Sequence, residues 1–250
     1  MKKLPKVWAR RAAAAALLIA AGTGGGVAGP SAAYAATLCN GLTATIVGGI
    51  GNDNLIGTDG ADVIAALAGN DVVLGLGGND TICLGDGNDV AQGGDGQDVI
   101  FGEGGLDVIN GDAGNDGLNG DAGNDALFGG DGNDTLNGGA ENDNVYPGNG
   151  DDWVNGGAGN DALLDSPGND NLLGGDGDDQ INGGAGADLV SGDGGGDVIA
   201  GGEGNDDLRG GNGDDFLLDP VGADIGDGGA GTIDRCDNNI DVKSNCELSF

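Results

Sequence analysis

An aspartate stands at every ninth position from Asp53 to Asp224, twenty times in succession without insertion or deletion. Carboxylates at such spacing could do two kinds of chemistry. Two of them with different protonation could cleave a glycoside, but a repeat with an acid in every turn generates carboxylate pairs wherever it folds. Many alike, held in a row, make a set of hard oxygen ligands for cations. A glycine lies two residues before each of these aspartates, Glu141 being the exception. An aliphatic residue lies two after, as in Leu55, Ile64, Val73, Ile82, Ile100, Ile109, Leu118, Leu127 and Leu136, with Ala91 and Gly226 as exceptions.

The element that positions these residues cannot be a helix. Nine residues are two and a half helical turns, so successive aliphatics would point to opposite sides. Each interior glycine would also cost about 1 kcal/mol relative to alanine. The pattern predicts instead a six-residue turn, such as Gly93 to Asp98, followed by a three-residue strand, Val99-Ile100-Phe101, whose middle side chain points inward. Coiling such units stacks the strands into parallel sheets around a narrow ladder of aliphatics. The aspartates then stack too, about 4.8 Å apart. They repel by roughly 1 kcal/mol per neighbour in water, and by more beside a low-dielectric surface. Something must bind those carboxylates.

Composition agrees. The chain has 60 Gly and 42 acidic residues, all of the acids after position 50, whereas five of its eight basic residues lie in the first eleven. Without that basic segment the remainder keeps Arg209, Arg235 and Lys243 and a formal charge of −39. This excludes nucleic acid and anionic membranes as partners, both of which require a basic patch, and points to cations. Acidic composition alone would equally suit a disordered, solvated tract; the unbroken phase of the repeat argues against that.

The residues resemble the repeats-in-toxin, or haemolysin-type, calcium-binding nonapeptide, Gly-Gly-x-Gly-x-Asp-x-aliphatic-x. The match is complete in Gly93 to Asp98, Gly129 to Asp134, Gly156 to Asp161, Gly174 to Asp179, Gly183 to Asp188, Gly201 to Asp206 and Gly210 to Asp215. The resemblance implies an all-β fold, a parallel β-roll (right-handed β-solenoid) of about twenty nonapeptide repeats with short terminal caps, eighteen residues per coil. It implies several Ca²⁺ ions held between turns two repeats apart. Asp98 and Asp116 would then share an ion on one edge, and Asp107 and Asp125 another on the opposite edge, with backbone carbonyls of the Gly-Gly-x segment completing the shell. On the same ground the metal ligands are Asp53, Asp62, Asp80, Asp89, Asp98, Asp107, Asp116, Asp125, Asp134, Asp152, Asp161, Asp179, Asp188, Asp197, Asp206 and Asp215. Oxygen-only ligation suits Ca²⁺, whereas Mg²⁺ retains its waters and zinc favours His or Cys; the chain has no His. Four copies depart from the pattern and are left out. The turn before Asp71 lacks the leading glycine pair, Glu141 replaces a glycine before Asp143, Ser166-Pro167 interrupts the turn before Asp170, and Asp219-Pro220-Val221 interrupts the one before Asp224.

Other chemistry finds no support. Counting back eleven residues from the four glutamates gives Gln92, Gly130, Gly192 and Cys236, so no EF-hand loop exists. Neither a phosphate-binding Gly-Lys-Ser/Thr ending nor a Gly-x-Ser-x-Gly elbow occurs. No catalytic or organic-cofactor residues are assigned, and the chain is read as not an enzyme. Phe101, Phe128, Tyr146, Trp153 and Phe216 fall at outward strand positions and could form a partner or sugar surface.

The ends complete the reading. Lys2 to Arg11 is basic, Ala12 to Ala21 apolar, and the segment ending Ala33-Tyr34-Ala35 small, which reads as a signal peptide over 1–35 cut after Ala35. Ten apolar residues are too few to span a bilayer. The expected organisation is therefore 1–35 signal peptide, 36–47 N-terminal cap, 48–226 repeat roll and 227–250 C-terminal cap, with the product secreted. Four cysteines in an exported chain suggest disulfides, with three connectivities open. Cys236 and Cys246 would close a short C-terminal loop, and Cys39 and Cys83 could staple the first repeats. Ile240 and Val242 are expected to cover the last coil. An extracellular matrix or cell-surface partner, and the alternative of a polysaccharide-modifying or polysaccharide-binding protein, remain open at this point.

Overall fold

The computed structural model describes residues 38–250 except 165, 166, 220, 232, 238, 241, 247 and 250. The expected signal peptide and its cut after Ala35 lie outside the described residues. The described chain is an all-β parallel solenoid of about 11 turns. One sheet has 12 strands, running from Ile46–Val47 to Val242–Ser244, and the other has 13, running from Asn54–Ile56 to Leu248–Ser249. Successive repeats alternate between the sheets, so each strand pairs in parallel with the one eighteen residues on, as in Ile100 with Leu118 and Ile109 with Leu127.

The middle aliphatic of every repeat points between the sheets. Ile64, Val73, Ile82, Ile100, Ile109, Leu127, Leu136 and their successors to Leu217 form one continuous buried cluster. Ala91 is buried in the same cluster, and at Gly226 the place is taken by Ile240, whose Cδ1 lies 3.1 Å from where a β-carbon of Gly226 would be. Ile240 is buried in the main cluster, whereas Val242, expected to help cover the last coil, faces outward and is exposed. Pairing explains this: Val242 stands opposite Ile225, an outward position, so alternation turns it away from the core.

The strands are longer than the predicted three residues. Most span six, as in Val99–Gly104 and Val108–Ala113, because the first three turn residues also pair with their equivalents eighteen residues away. That pairing holds the second turn residue in the left-handed region: Gly94 has φ 106°, but so do Glu103 (68°), Asp112 (73°), Asp121 (68°) and Asp193 (69°). Such non-glycine positions cost roughly 1–2 kcal/mol each. Packing of neighbouring coils imposes them.

At the N-terminus Leu38–Cys39 and Leu42–Thr43 form an antiparallel hairpin, with Asn40 (φ 49°) and Gly41 (φ 83°) in the tight turn that their types favour. Cys39 is bonded to Cys83 and packs with Ala65, Val63 and Phe101 in a second, smaller cluster on the outer side of the 12-stranded sheet. Cys236 is bonded to Cys246 at the other end.

Candidate metal centre

The aspartates of the repeat form two ladders, one before each sheet's strands. The first contains Asp62, Asp80, Asp98, Asp116, Asp134, Asp152, Asp170, Asp188, Asp206 and Asp224. The second contains Asp53, Asp71, Asp89, Asp107, Asp125, Asp143, Asp161, Asp179, Asp197 and Asp215, and ends on Asp234. In both, the backbone N–H of each aspartate donates to Oδ1 of the aspartate one coil further on, at 2.8 Å between Asp98 and Asp116 and between Asp107 and Asp125. One carboxylate oxygen is thereby fixed.

The other oxygen is left over. Oδ2 of Asp80, Asp89, Asp98, Asp107, Asp116, Asp125 and most later members is buried without a hydrogen-bond partner. A buried carboxylate in that condition is costly unless an ion or a proton joins it. Asp53 and Asp62 differ. Oδ2 of Asp53 accepts from Gly49 N at 2.6 Å, and Oδ2 of Asp62 from Thr58 N at 2.7 Å and its hydroxyl at 2.9 Å.

Where the turn opens on a glycine, the free Oδ2 lies over it in a small cradle. A β-carbon on Gly102 would lie 2.6 Å from Asp107 Oδ2 and 2.6 Å from the Gly120 carbonyl oxygen of the next coil. At Gly138 the same two distances, to Asp143 Oδ2 and the Gly156 oxygen, are 2.5 Å, and at Gly183, to Asp188 Oδ2 and the Gly201 oxygen, 2.7 Å. Each such pair of oxygens therefore lies against the same bare face of a glycine, which only a missing side chain permits. The donor set is carboxylate and carbonyl oxygen only, the set for a hard cation. Ala66, Leu84 and Pro147 stand where this glycine would be and carry a β-carbon at that point, so the cradles of Asp71, Asp89 and Asp152 are partly or wholly filled.

Burial raises the pKa of these carboxyls, the fixed N–H donor pulls it back, and the neighbouring carboxylates push it up again. Asp143 reaches about 8, and Asp107, Asp134 and Asp179 about 7. Asp98, Asp125, Asp188 and Asp197 reach about 6 for the same reasons. At neutral pH the ladders therefore compete between protons and metal.

The RTX calcium-binding nonapeptide repeat, as a profile of four copies, matches residues 47–82, 84–118, 119–154, 128–163, 155–190, 164–199, 191–218 and 200–232. The chain belongs to this family. Its RTX repeats bind Ca²⁺, and the two aspartate ladders are the regular feature that goes with it. No curated protein matches the chain. Among the described residues no helix is long and apolar enough to cross a membrane.

The ladders include residues that the sequence reading set aside. Asp143 is as buried as its neighbours and has a regular cradle, because Glu141 adopts φ 72° in the glycine's place and accepts from Gly123 N at 3.1 Å. Asp71, Asp170 and Asp224 are in register as well. Asp234 was hidden by a one-residue slip: it binds Asp215 N nineteen residues away, not eighteen. A second, exposed ladder also went unread, in which the Asn before the Asp accepts the backbone N–H of its equivalent in the next coil, as Asn142 does from Asn160 at 2.8 Å. The recurring Asn-Asp pairs were its signal.

Proposed function

We propose that this RTX chain is an exported protein whose roll folds on multiple Ca²⁺ ions and serves a structural or interaction role outside the cell. The observation that carries the reading is the row of buried, unpartnered Oδ2 atoms, most of them set beside a carbonyl oxygen of the next coil over a glycine. The residues proposed to hold the ions are the aspartates above glycine cradles: Asp80, Asp98, Asp107, Asp116, Asp125, Asp134, Asp143, Asp161, Asp179, Asp188, Asp197, Asp206 and Asp215. Asp89 and Asp152, with filled cradles, contribute only as neighbours, and Asp53 and Asp62, held by protein donors, bind last. A bound ion supplies charge neutralisation and a bridge between coils. Because each site is shared by two coils, binding and stacking are one event. Export rests on the basic, apolar and small-residue order of 1–35 and on the millimolar calcium such a fold needs.

We read the roll as non-enzymatic because its buried carboxylates serve the ladders. The rival reading, a surface that binds polysaccharide, draws on Phe128 and Tyr146, whose rings stack at 4.9 Å on the outer side of the 13-stranded sheet. Far-ultraviolet circular dichroism during a calcium titration, with magnesium as control, tests the main reading. A cooperative gain of β signal specific to calcium is expected. A spectrum indifferent to calcium would sink it.

A further inference from the structure

The last full coil departs from its described neighbours. At position 219, where most repeats have their first turn glycine, stands an aspartate, as also at 165, which lies outside the described residues. Elsewhere the cradle is bounded by one carboxylate and one backbone carbonyl, as at Gly183 between Asp188 Oδ2 and the Gly201 oxygen. At Gly201 the second partner is a side chain instead: a β-carbon there would lie 2.6 Å from Asp206 Oδ2 and 2.5 Å from Asp219 Oδ2. Oxygens of Asp206, Asp219 and Asp224 all lie within 4.8 Å of one another, and among the described residues this is the one place where three acids converge so closely.

Asp219 is fully buried, and the backbone N–H groups of Val221 and Gly202 beside it close no well-formed hydrogen bond on its oxygens. Oδ2 of Asp206 and of Asp224 are likewise unpartnered, while their Oδ1 atoms are fixed by the N–H groups of Asp188 at 2.9 Å and Asp206 at 3.1 Å. The nearby cation in the same coil, Arg209, spends its charge on exposed Asp207 at 2.7 Å. Three buried carboxylates thus stand with oxygens within 4.8 Å of one another, and the ion pair that Arg209 makes is not with any of them.

We propose that Asp206, Asp219 and Asp224 form a three-carboxylate calcium site that is tighter than the repeat sites and fills before them. Asp219 is a ligand outside the nonapeptide pattern, supplying a charged oxygen where the family's turn supplies a neutral one. Affinity for Ca²⁺ rises with the number of charged ligands, so a difference of roughly tenfold or more is expected. The proposal rests on the reading that the repeat turns bind calcium.

Equilibrium dialysis of the full chain with radioactive calcium separates the two. The expected isotherm has one ion bound about tenfold more tightly than the rest. Asp219→Asn and Asp219→Gly, the latter restoring the repeat's own turn residue, should abolish that tight ion while leaving the weaker class in place. Both replacements remove a buried unpaired charge, so the metal-free chain should be no less folded by circular dichroism. Asp188→Asn, in a regular cradle, should instead lower the weaker class and spare the tight ion. A wild-type isotherm with many ions but a single class, or variants whose isotherms overlay it, would overturn the three-carboxylate site while leaving the general reading intact. A chain that bound no calcium would overturn both.

Discussion

Replacing Gly102 by alanine should delete one calcium ion and little else. The new β-carbon falls 2.6 Å from Asp107 Oδ2 and 2.6 Å from the Gly120 carbonyl oxygen, the two oxygens proposed to hold the ion, and pushes both away. Ordinary carbon-to-oxygen contacts are about 3.3–3.6 Å, so the oxygens must give way by roughly 0.7 Å. Gly120 lies within a paired strand and cannot move far. The Asp107 carboxylate must turn, and its Oδ1 bond from Asp89 N at 2.8 Å bends with it. The chain already tolerates a β-carbon at this point in Ala66 and Leu84, both fully buried, so the roll itself should survive.

The magnitude follows from mass action. At a free calcium concentration one hundred times a site's Kd, that site contributes about 2.7 kcal/mol to folding. For a chain of this size each kcal/mol moves the midpoint by about 2–4 °C, so Gly102→Ala should lower the melting temperature by roughly 5–10 °C in saturating calcium. Melting should be followed in calcium at neutral pH and in chelator at about pH 5, where protons stand in for the ions, with bound ions counted by equilibrium dialysis. The expectation is one ion fewer and a drop in melting temperature much smaller in chelator than in calcium. An unchanged ion count would refute the cradle as the binding point. An equal drop in both conditions would show that the methyl group acts by crowding alone.

Ala66→Gly is the reverse experiment: it opens the cradle beneath Asp71, whose Oδ2 is buried and unpartnered, and dialysis should find one ion more than in the parent. In chelator, stability should fall as pH rises. Asp107, Asp134, Asp143 and Asp179 have folded values of about 7–8 against a reference of 3.8, so the folded state holds more protons throughout that interval. Their contribution is complete below pH 4 and lost as pH rises through 8, so a metal-free melting temperature higher at pH 8 than at pH 4.5 would contradict the burial of these acids. Ile109→Ala, at the centre of the aliphatic ladder, should cost about 2–4 kcal/mol with calcium saturating, read by denaturant titration. Reducing the Cys39–Cys83 bond, which spans 44 residues, should cost about 4 kcal/mol by loop entropy. Because each coil touches mainly its neighbours, the loss should appear as faster hydrogen exchange in Val63–Ala68 and not in Asp207–Asn212.

The phase of Asp53 to Asp224 and the inward aliphatics made the roll legible, since only a parallel solenoid lets every ninth residue keep one environment. What could not be read was which glycine matters for the ion. The glycine two before each aspartate is the more regular mark, but it is needed because a β-carbon there would strike the carbonyl of the neighbouring coil, as Gly96 would strike Gly78. The cradle belongs to the glycine five before the aspartate, and Leu84 or Pro147 there changes a site that otherwise matches. Conversely, Glu141, two before its aspartate, looks disruptive and is not: its backbone shifts to φ 72°, where Gly123 and Gly132 have 140° and 141°, and Asp143 stays in register. Asp219 looked like an interruption of the turn. Its neighbourhood depends on Asp206 and Asp224, thirteen residues before and five after, and only the coiled chain brings the three together.

The direction of the hydrogen bonds gives the ladders their chemistry. Had the backbone N–H of each aspartate bound a carbonyl, the side chains would be free to turn toward solvent. Because it holds Oδ1 of the next coil, as Asp98 does for Asp116, the carboxylate is pinned in the sheet's edge with Oδ2 facing inward. The bond that stacks one coil on the next is thus the bond that strands a charge between them. Every coil added repeats this conflict and cannot resolve it with the residues it brings, since three basic side chains serve the whole roll. Two outcomes remain: the carboxyls take up protons, as their raised pKa values allow, or a cation enters each cradle. At neutral pH the first is incomplete for acids near 6 and 7, and the second is what a divalent ion provides.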